Sequence, residues 1–339
     1  MRQAVLRGPR QLLLEDAPRP KAGPGDLLVE VKAVAICGTD VQIYSGQTRV
    51  SFPLVPGHEG AGLVREMGEG VVGFSPGDPV VLNPNVSCNR CSLCIAGREN
   101  LCPYGGFMGR EVDGVVREHL AVPQALAFRL PPDLPLCEGA LVQPLSTVVH
   151  SQRLAQLRPA ESVVVLGAGA SGLMHVKLAK LAGAFPVIAV GRSRWKLELA
   201  EQMGADRALQ ADREGLVDQV KGLTDGLGAD VVIEAVGSPD TVQQALEMIR
   251  PGGRVLVYGI SPSPLPLLDL YRLYRKEAVV VFPRAMTRAD FQVAIGLMAS
   301  KRVDLKPLIS RQYPLEEAGA AFHFAEAERA QALRVAIEL

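Results

Sequence analysis

Four cysteines stand within fifteen residues, Cys88, Cys91, Cys94 and Cys102, in the spacing C-x2-C-x2-C-x7-C. Two-residue gaps let successive sulfurs turn inward from a tight loop, and one tetrahedral Zn²⁺ accepts four thiolates at about 2.3 Å each. The alternatives are two disulfides or a chance cluster of buried thiols, and disulfides belong to oxidising compartments. With four sulfurs on the metal, no position is left for water or substrate. A zinc here holds a loop and does no chemistry.

A second metal site is suggested by Cys37 in Ile36-Cys37-Gly38-Thr39-Asp40 and by His58-Glu59 in Pro56-Gly57-His58-Glu59-Gly60. Thiolate, imidazole and carboxylate are all zinc ligands, and three protein ligands leave an open place for a substrate oxygen. Taken singly, a cysteine before glycine or a lone histidine fits core packing as well. Their order and company carry the reading.

A third motif, Gly167-Ala168-Gly169-Ala170-Ser171-Gly172, follows a buried apolar run and opens a helical pattern. In that context G-x-G-x-x-G binds a dinucleotide. Gly167 makes the tight turn, Gly169 lets backbone approach the pyrophosphate, Gly172 allows close helix packing, and free N–H groups at the helix start face the phosphates. About twenty residues on, an NAD site places a carboxylate for the ribose 2′-hydroxyl. Here the strand ends Val190-Gly191-Arg192-Ser193-Arg194. The carboxylate is absent, and Arg192, Ser193 and Arg194 can donate to a 2′-phosphate, so NADP is favoured over NAD; the alternative is a solvated turn.

These motifs need positioning elements. Through residue 147 the sequence reads as short strands punctuated by Gly and Pro, at Leu27 to Ala35, Gly62 to Met67, Pro79 to Leu82 and Glu118 to Val122, which predicts a mostly-β domain. From residue 160 buried strands at Ser162 to Leu166, Val187 to Val190, Val231 to Ile233, Val255 to Val257 and Val279 to Phe282 alternate with helices such as Trp195 to Met203 and Thr241 to Met248. That alternation predicts a parallel, doubly wound sheet. A helix near Asp290 to Ser300 and a strand near Arg334 to Glu338 close the chain, and this tail is expected to fold back onto the first domain. At 339 residues, two domains are expected.

Lys+Arg and Asp+Glu are 36 each, so the neutral chain has no electrostatic footprint for nucleic acid or an anionic membrane, and a small molecule is the expected partner. No secretory h-region follows Met1 and no run of eighteen apolar residues occurs, which predicts a cytoplasmic protein. Cys137, outside any motif, reads as a small core residue.

Together, Cys-Gly-Thr-Asp at 37 to 40, Gly-His-Glu at 57 to 59, the four-cysteine lobe, Gln143-Pro144-Leu145-Ser146 and the glycine-rich turn resemble the zinc-containing medium-chain dehydrogenases, especially the sorbitol, threonine and glucose dehydrogenase branch. The resemblance spans essentially the whole chain. It implies an α/β protein with a GroES-like catalytic domain (1–147, with 286–339) and a Rossmann domain (148–285). It implies two zincs per chain, Cys37 and His58 as ligands of the catalytic one, and Glu59 as a direct or water-linked ligand. Thr39 then binds the substrate oxygen and starts the proton relay, Asp40 supports the ligands, Thr147 touches the nicotinamide, and Arg284 lies near a substrate-binding arginine of polyol-oxidising relatives. Relatives pair through the last strand of the cofactor sheet, here Val279 to Phe282, so a homo-oligomer is expected, a tetramer before a dimer.

Two positions depart from the family. Gln143 stands where most of the branch has Glu; its amide oxygen can still ligate zinc or bind its water, without the charge. Gln42 stands where many relatives have a proton-carrying His, so Thr39 must pass the proton to cofactor ribose and water. The implied chemistry is reversible oxidation of a secondary alcohol of a polyol or sugar, with hydride passing to NADP and zinc as Lewis acid. A threonine-type amino-alcohol dehydrogenase and a non-catalytic NADPH-binding zinc protein are the alternatives.

Overall fold

The computed structural model describes residues 1–211, 214–260 and 269–339. Its chain divides into two compact units, Met1–Ser146 with Ala285–Leu339, and Thr147–Arg284.

The first unit is organised on the strand Asp26–Ile36, eleven residues without Gly or Pro, whose Leu27, Val29, Val31 and Val34 are fully buried. Burying each such side chain contributes about 1.5 to 3 kcal/mol. The strand pairs antiparallel with Glu59–Met67, Arg334–Glu338 and His119–Pro123, within a seven-stranded sheet that continues through Pro79–Leu82 and Ala127–Arg129 on one side and Ile309–Pro314 on the other. Register decides what gathers at its end. Val335 lies opposite Ile36 and Glu59 opposite Ala35, so Cys37, Glu59 and Arg334, remote in sequence, reach the same end of the sheet.

The second unit is a six-stranded parallel sheet in the order Arg207–Gln210, Val187–Gly191, Val163–Leu166, Ala229–Glu234, Ile249–Val257, Val279–Val281. This is the doubly wound order, whose ligand crevice lies at the carboxyl ends of the strands where the order reverses. Helices Ala170–Leu181, Arg194–Met203 and Pro239–Met248 follow the first, second and fourth strands in sequence. Val163–Leu166 is buried throughout, as a strand covered on both faces must be.

Several expectations need correction. Cys137 is half-buried rather than part of the core, because it sits in a four-residue helix, Leu136–Gly139, whose buried residue is Gly139. The fifth cofactor-sheet strand is longer than its apolar stretch and runs Ile249–Val257 through Pro251-Gly252-Gly253, while the sixth ends at Val281. The fourth short strand of the first unit is His119–Pro123, one residue later than expected. Arg207–Gln210 and Ile309–Pro314 carry too many polar side chains to announce themselves; both are edge strands, where solvent can satisfy polar groups.

Candidate active site

The lobe at 88–102 holds all four of its cysteines as free thiols, which excludes the disulfide alternative. Their sulfurs lie within 4.8 Å of one another, with Cys91 to Cys94 at 3.5 Å and Cys88 to Cys94 and Cys91 to Cys102 at 4.0 Å. A tetrahedron with 2.3 Å arms has edges of about 3.8 Å, so the spacing fits one zinc. The Arg90 backbone N–H, and after it burial opposed by neighbouring donors, leaves the Cys88 thiol pulled down to about 6. Desolvation and the neighbouring sulfurs push Cys94 up to about 12, so the cluster needs a cation to ionise completely.

At the end of the first unit's sheet, Cys37, His58 and Glu59 bring one ligand atom each within 4.8 Å of the others. Cys37 precedes the helix Gly38–Tyr44, and Gly57, at φ 92°, makes the turn that delivers His58. Asp40, itself buried, orients two of these groups. One of its oxygens accepts the Cys37 backbone N–H at 2.8 Å, and the other lies 3.0 Å from His58 Nδ1. The Nδ1–H then donates to Asp40 and leaves Nε2 for a metal, the carboxylate–histidine arrangement that fixes a ligand's tautomer. Burial opposes charge on His58, but Asp40 outweighs it and raises the imidazole well above its ordinary pKa. Burial also pushes the Cys37 thiol up, yet Arg334 and the His58 ring hold it down to about 6.

Glu59 is fully buried, and neither carboxylate oxygen receives a hydrogen bond among the described residues. Burial drives its pKa well above the usual carboxylate range, opposed chiefly by Arg334. Arg334 Nη2 is 3.1 Å from Glu59 Oε1, close enough for an ion pair without a directed hydrogen bond. Buried carboxylates are ordinarily hydrogen-bonded, so this orphan beside a thiol and an imidazole fits a cation site. Sequence reasoning missed Arg334; a charge opening the apolar run Val335-Ala336-Ile337 looks like a solvated strand end, and only pairing shows that it is buried.

The other expected residues fall as follows. Gln143, in the first turn of the helix Val142–Leu154, is buried, with its Nε2 3.9 Å from Met286 Sδ, which leaves the amide oxygen as its possible metal donor. Thr39 is half-buried. Arg284 is exposed, three residues past the edge strand Val279–Val281.

In the second unit Gly167 adopts φ 106°, and a Cβ on Gly172 would lie 1.8 Å from the Gly167 carbonyl oxygen. Beside Gly169 a Cβ would meet nothing within 4 Å, the open space that a phosphate group needs. Ala170 and Ser171 begin the helix Ala170–Leu181 and offer its first N–H groups. At the second strand's end, a Cβ on Gly191 would come within 2.8 Å of Ala168 Cβ, so the glycine packs on the turn and a carboxylate is hard to place there. Arg192 is exposed beside half-buried Ser193, whereas Arg194 pairs with Glu198 one turn on at 3.0 Å. Thr147 Oγ1 lies 2.7 Å from the hydroxyl of Tyr258, a residue sequence reasoning did not single out.

Residues 23–132 match the alcohol dehydrogenase GroES-like domain and residues 170–300 the zinc-binding dehydrogenase domain. The chain is 35% identical to the probable D-xylulose reductase A of Neosartorya fischeri, over 94% of this chain and 91% of that one. It is also 35% identical to the L-threonine 3-dehydrogenase of Symbiobacterium thermophilum, over 91% and 89%. A Sinorhizobium meliloti structure of the zinc-binding dehydrogenase type, with NADP bound, superposes with a TM-score of 0.94 at 32% identity, covering 100% of this chain and 99% of that one. Among the described residues no helix is long and apolar enough to cross a membrane. With whole-chain identity of this order laid over a thiol–imidazole–carboxylate cluster and a glycine-rich dinucleotide turn, the chain belongs to the zinc-containing medium-chain dehydrogenases and is an NAD(P)-dependent oxidoreductase of the alcohol and polyol type.

Proposed function

We propose that the protein reversibly oxidises a secondary alcohol of a polyol or sugar, with NADP⁺ accepting the hydride. The observation that carries the reading is the convergence of Cys37, His58 and the orphaned carboxylate of Glu59. These three, with the amide oxygen of Gln143, would hold the catalytic zinc, and Cys88, Cys91, Cys94 and Cys102 a structural one. When bound, the catalytic zinc supplies Lewis acidity that lowers the pKa of an alcohol hydroxyl, and the nicotinamide supplies the hydride acceptor.

The chain's own residues do the rest. Asp40 holds the Cys37 backbone and the His58 ring in place. The half-buried Thr39 hydroxyl both accepts and donates, so it can take the substrate proton and hand it on to ribose and water, which Gln42 cannot do. Gly167, Gly169 and Gly172 shape the pyrophosphate turn, Thr147 supports the nicotinamide, and Arg192 with Ser193 grips the 2′-phosphate, arginine contributing the stronger charge-assisted bonds. Arg194, engaged with Glu198, has the lesser part. Arg284 would serve the substrate's hydroxyl groups.

Six unpaired cysteines suit a reducing compartment such as the cytoplasm. The edge strand Val279–Val281 leaves Val279 and Phe282 exposed, an apolar edge that a second copy would cover in a dimer or tetramer. The similarity to L-threonine 3-dehydrogenases keeps an amino alcohol as the second substrate reading. A panel of polyols, aldoses, threonine and simple alcohols, assayed with NADP⁺ and NAD⁺ on protein of measured zinc content, decides between them. Turnover of threonine alone, or indifference to the cofactor's 2′-phosphate, overturns the proposal.

A further inference from the structure

Tyr258 directly follows the strand Ile249–Val257, at the carboxyl end of the fifth parallel strand, where doubly wound sheets bind ligands. Its backbone is pinned there, because Tyr258 N–H and Gly259 N–H both donate to the Glu234 carbonyl at 2.9 Å. Its side chain is held at both ends. The hydroxyl lies 2.7 Å from Thr147 Oγ1 and 3.5 Å from Ser171 Oγ of the glycine-rich turn. The ring packs edge-to-face on His175, with centroids 4.7 Å apart and an interplanar angle of 82°.

His175 is a rigid support for that ring. It is fully buried on the helix Ala170–Leu181, and burial holds its pKa down to about 3, so the imidazole is neutral. Gln152 Nε2 lies 3.2 Å from His175 Nδ1 and donates to the His175 carbonyl at 2.9 Å. Nδ1 is therefore the acceptor and Nε2 carries the hydrogen. Nε2 has no hydrogen-bond partner among the described residues, and the Tyr258 ring is its aromatic neighbour.

We propose that Tyr258 is a positioning residue for the nicotinamide end of the cofactor, acting through Thr147. A threonine has one stiff side-chain torsion, so a hydroxyl committed to Tyr258 fixes the side chain's rotamer and hence the surface it offers the ring. The hydroxyls of Thr147 and Tyr258 are thereby set in place before a ligand arrives, and binding loses less freedom for it. The inference rests on the NADP-linked function proposed above, on the assignment of Thr147 to the nicotinamide in particular.

The test measures cofactor binding by calorimetry on the zinc-loaded protein. Tyr258→Phe keeps the ring on His175 and removes only the hydroxyl bridge. Loss of one such bond predicts about tenfold weaker NADPH binding, with the melting temperature retained. Thr147→Val should weaken it similarly, and the double variant should be no weaker than the worse single one. ADP-ribose 2′-phosphate, which lacks the nicotinamide, should bind wild type and Tyr258→Phe equally. Additive losses, or an equal loss for ADP-ribose 2′-phosphate, overturn the inference while leaving the proposed function standing. A wild type that binds no dinucleotide overturns both.

Discussion

Replacing Arg334 by methionine tests the electrostatics of the metal cluster directly. Arg334 is 5% exposed and Glu59 0%, with 3.1 Å between Nη2 and Oε1. At an effective dielectric constant of about 20, unit charges at that distance attract by about 5 kcal/mol, before the cost of desolvating them is subtracted. Methionine fills much of the arginine stem's volume, so the principal effect is to strand a buried carboxylate that has no hydrogen-bond donor. Removing one partner of a buried pair costs about 3 to 5 kcal/mol. In zinc-stripped protein, at a pH high enough to ionise Glu59, Arg334→Met should therefore lower the opening free energy of the strands Glu59–Met67 and Arg334–Glu338 by about that amount, read by hydrogen exchange. The single tryptophan, Trp195, belongs to the other unit and is the wrong probe.

Two controls sharpen the outcome. Adding Glu59→Gln removes the stranded charge and leaves one buried amide, which costs about 1 to 3 kcal/mol, so the double variant should be more stable than Arg334→Met alone. Because burial raises the folded-state pKa of Glu59, the stability that its protonated form contributes is lost as pH rises through that pKa. Removing Arg334 raises that pKa further, so the variant's deficit should be largest above the variant's own Glu59 pKa and narrow as pH falls through it, since a protonated Glu59 needs no cation. A deficit under about 1 kcal/mol, or costs that simply add in the double variant, would falsify the stranded-charge account.

Other outcomes follow from the same geometry. Cys37→Ser should abolish turnover and remove one zinc with the fold retained, whereas Cys91→Ser should remove the other zinc and destabilise the 88–102 lobe; metal analysis with circular dichroism separates them, and an active Cys37→Ser enzyme sinks the catalytic assignment. Arg192→Ala should cost NADP⁺ about ten- to a hundredfold in kcat/KM while sparing NAD⁺, and an equal effect on both would show that the arginine merely faces solvent. In zinc-stripped protein the Cys37 thiol, near 6 in the parent, should become harder to ionise in Arg334→Met, so that its alkylation profile followed by peptide mass spectrometry moves to higher pH. Phe282→Arg should charge the exposed sheet edge and lower the mass seen by light scattering; a parent that is already monomeric at micromolar concentration refutes the edge-pairing proposal.

What the sequence revealed and what it hid divide along a physical line. The four-cysteine lobe, the Gly167 to Gly172 turn and the Val163–Leu166 strand are local: ligand spacing, backbone turns and continuous burial leave their mark within a few residues. Cys37, His58 and Glu59 were legible as candidate metal ligands, but the buried, unpartnered carboxylate of Glu59 was not, because it arises from burial that only the register of Glu59 against Ala35 produces. Arg334 and Tyr258 were invisible for the same reason. Each closes an interaction with a residue far away in the chain, Glu59 in one case and Thr147 in the other. Even Gly191, read in the sequence as the lack of a carboxylate, has a second meaning that required the fold. Its hydrogen faces Ala168, so this strand end is also packed against the Gly167 to Gly172 turn. A side chain at that position therefore requires moving the turn, whereas Arg192 is exposed, so Arg192→Ala is the substitution expected to test the proposed cofactor preference without disturbing the turn.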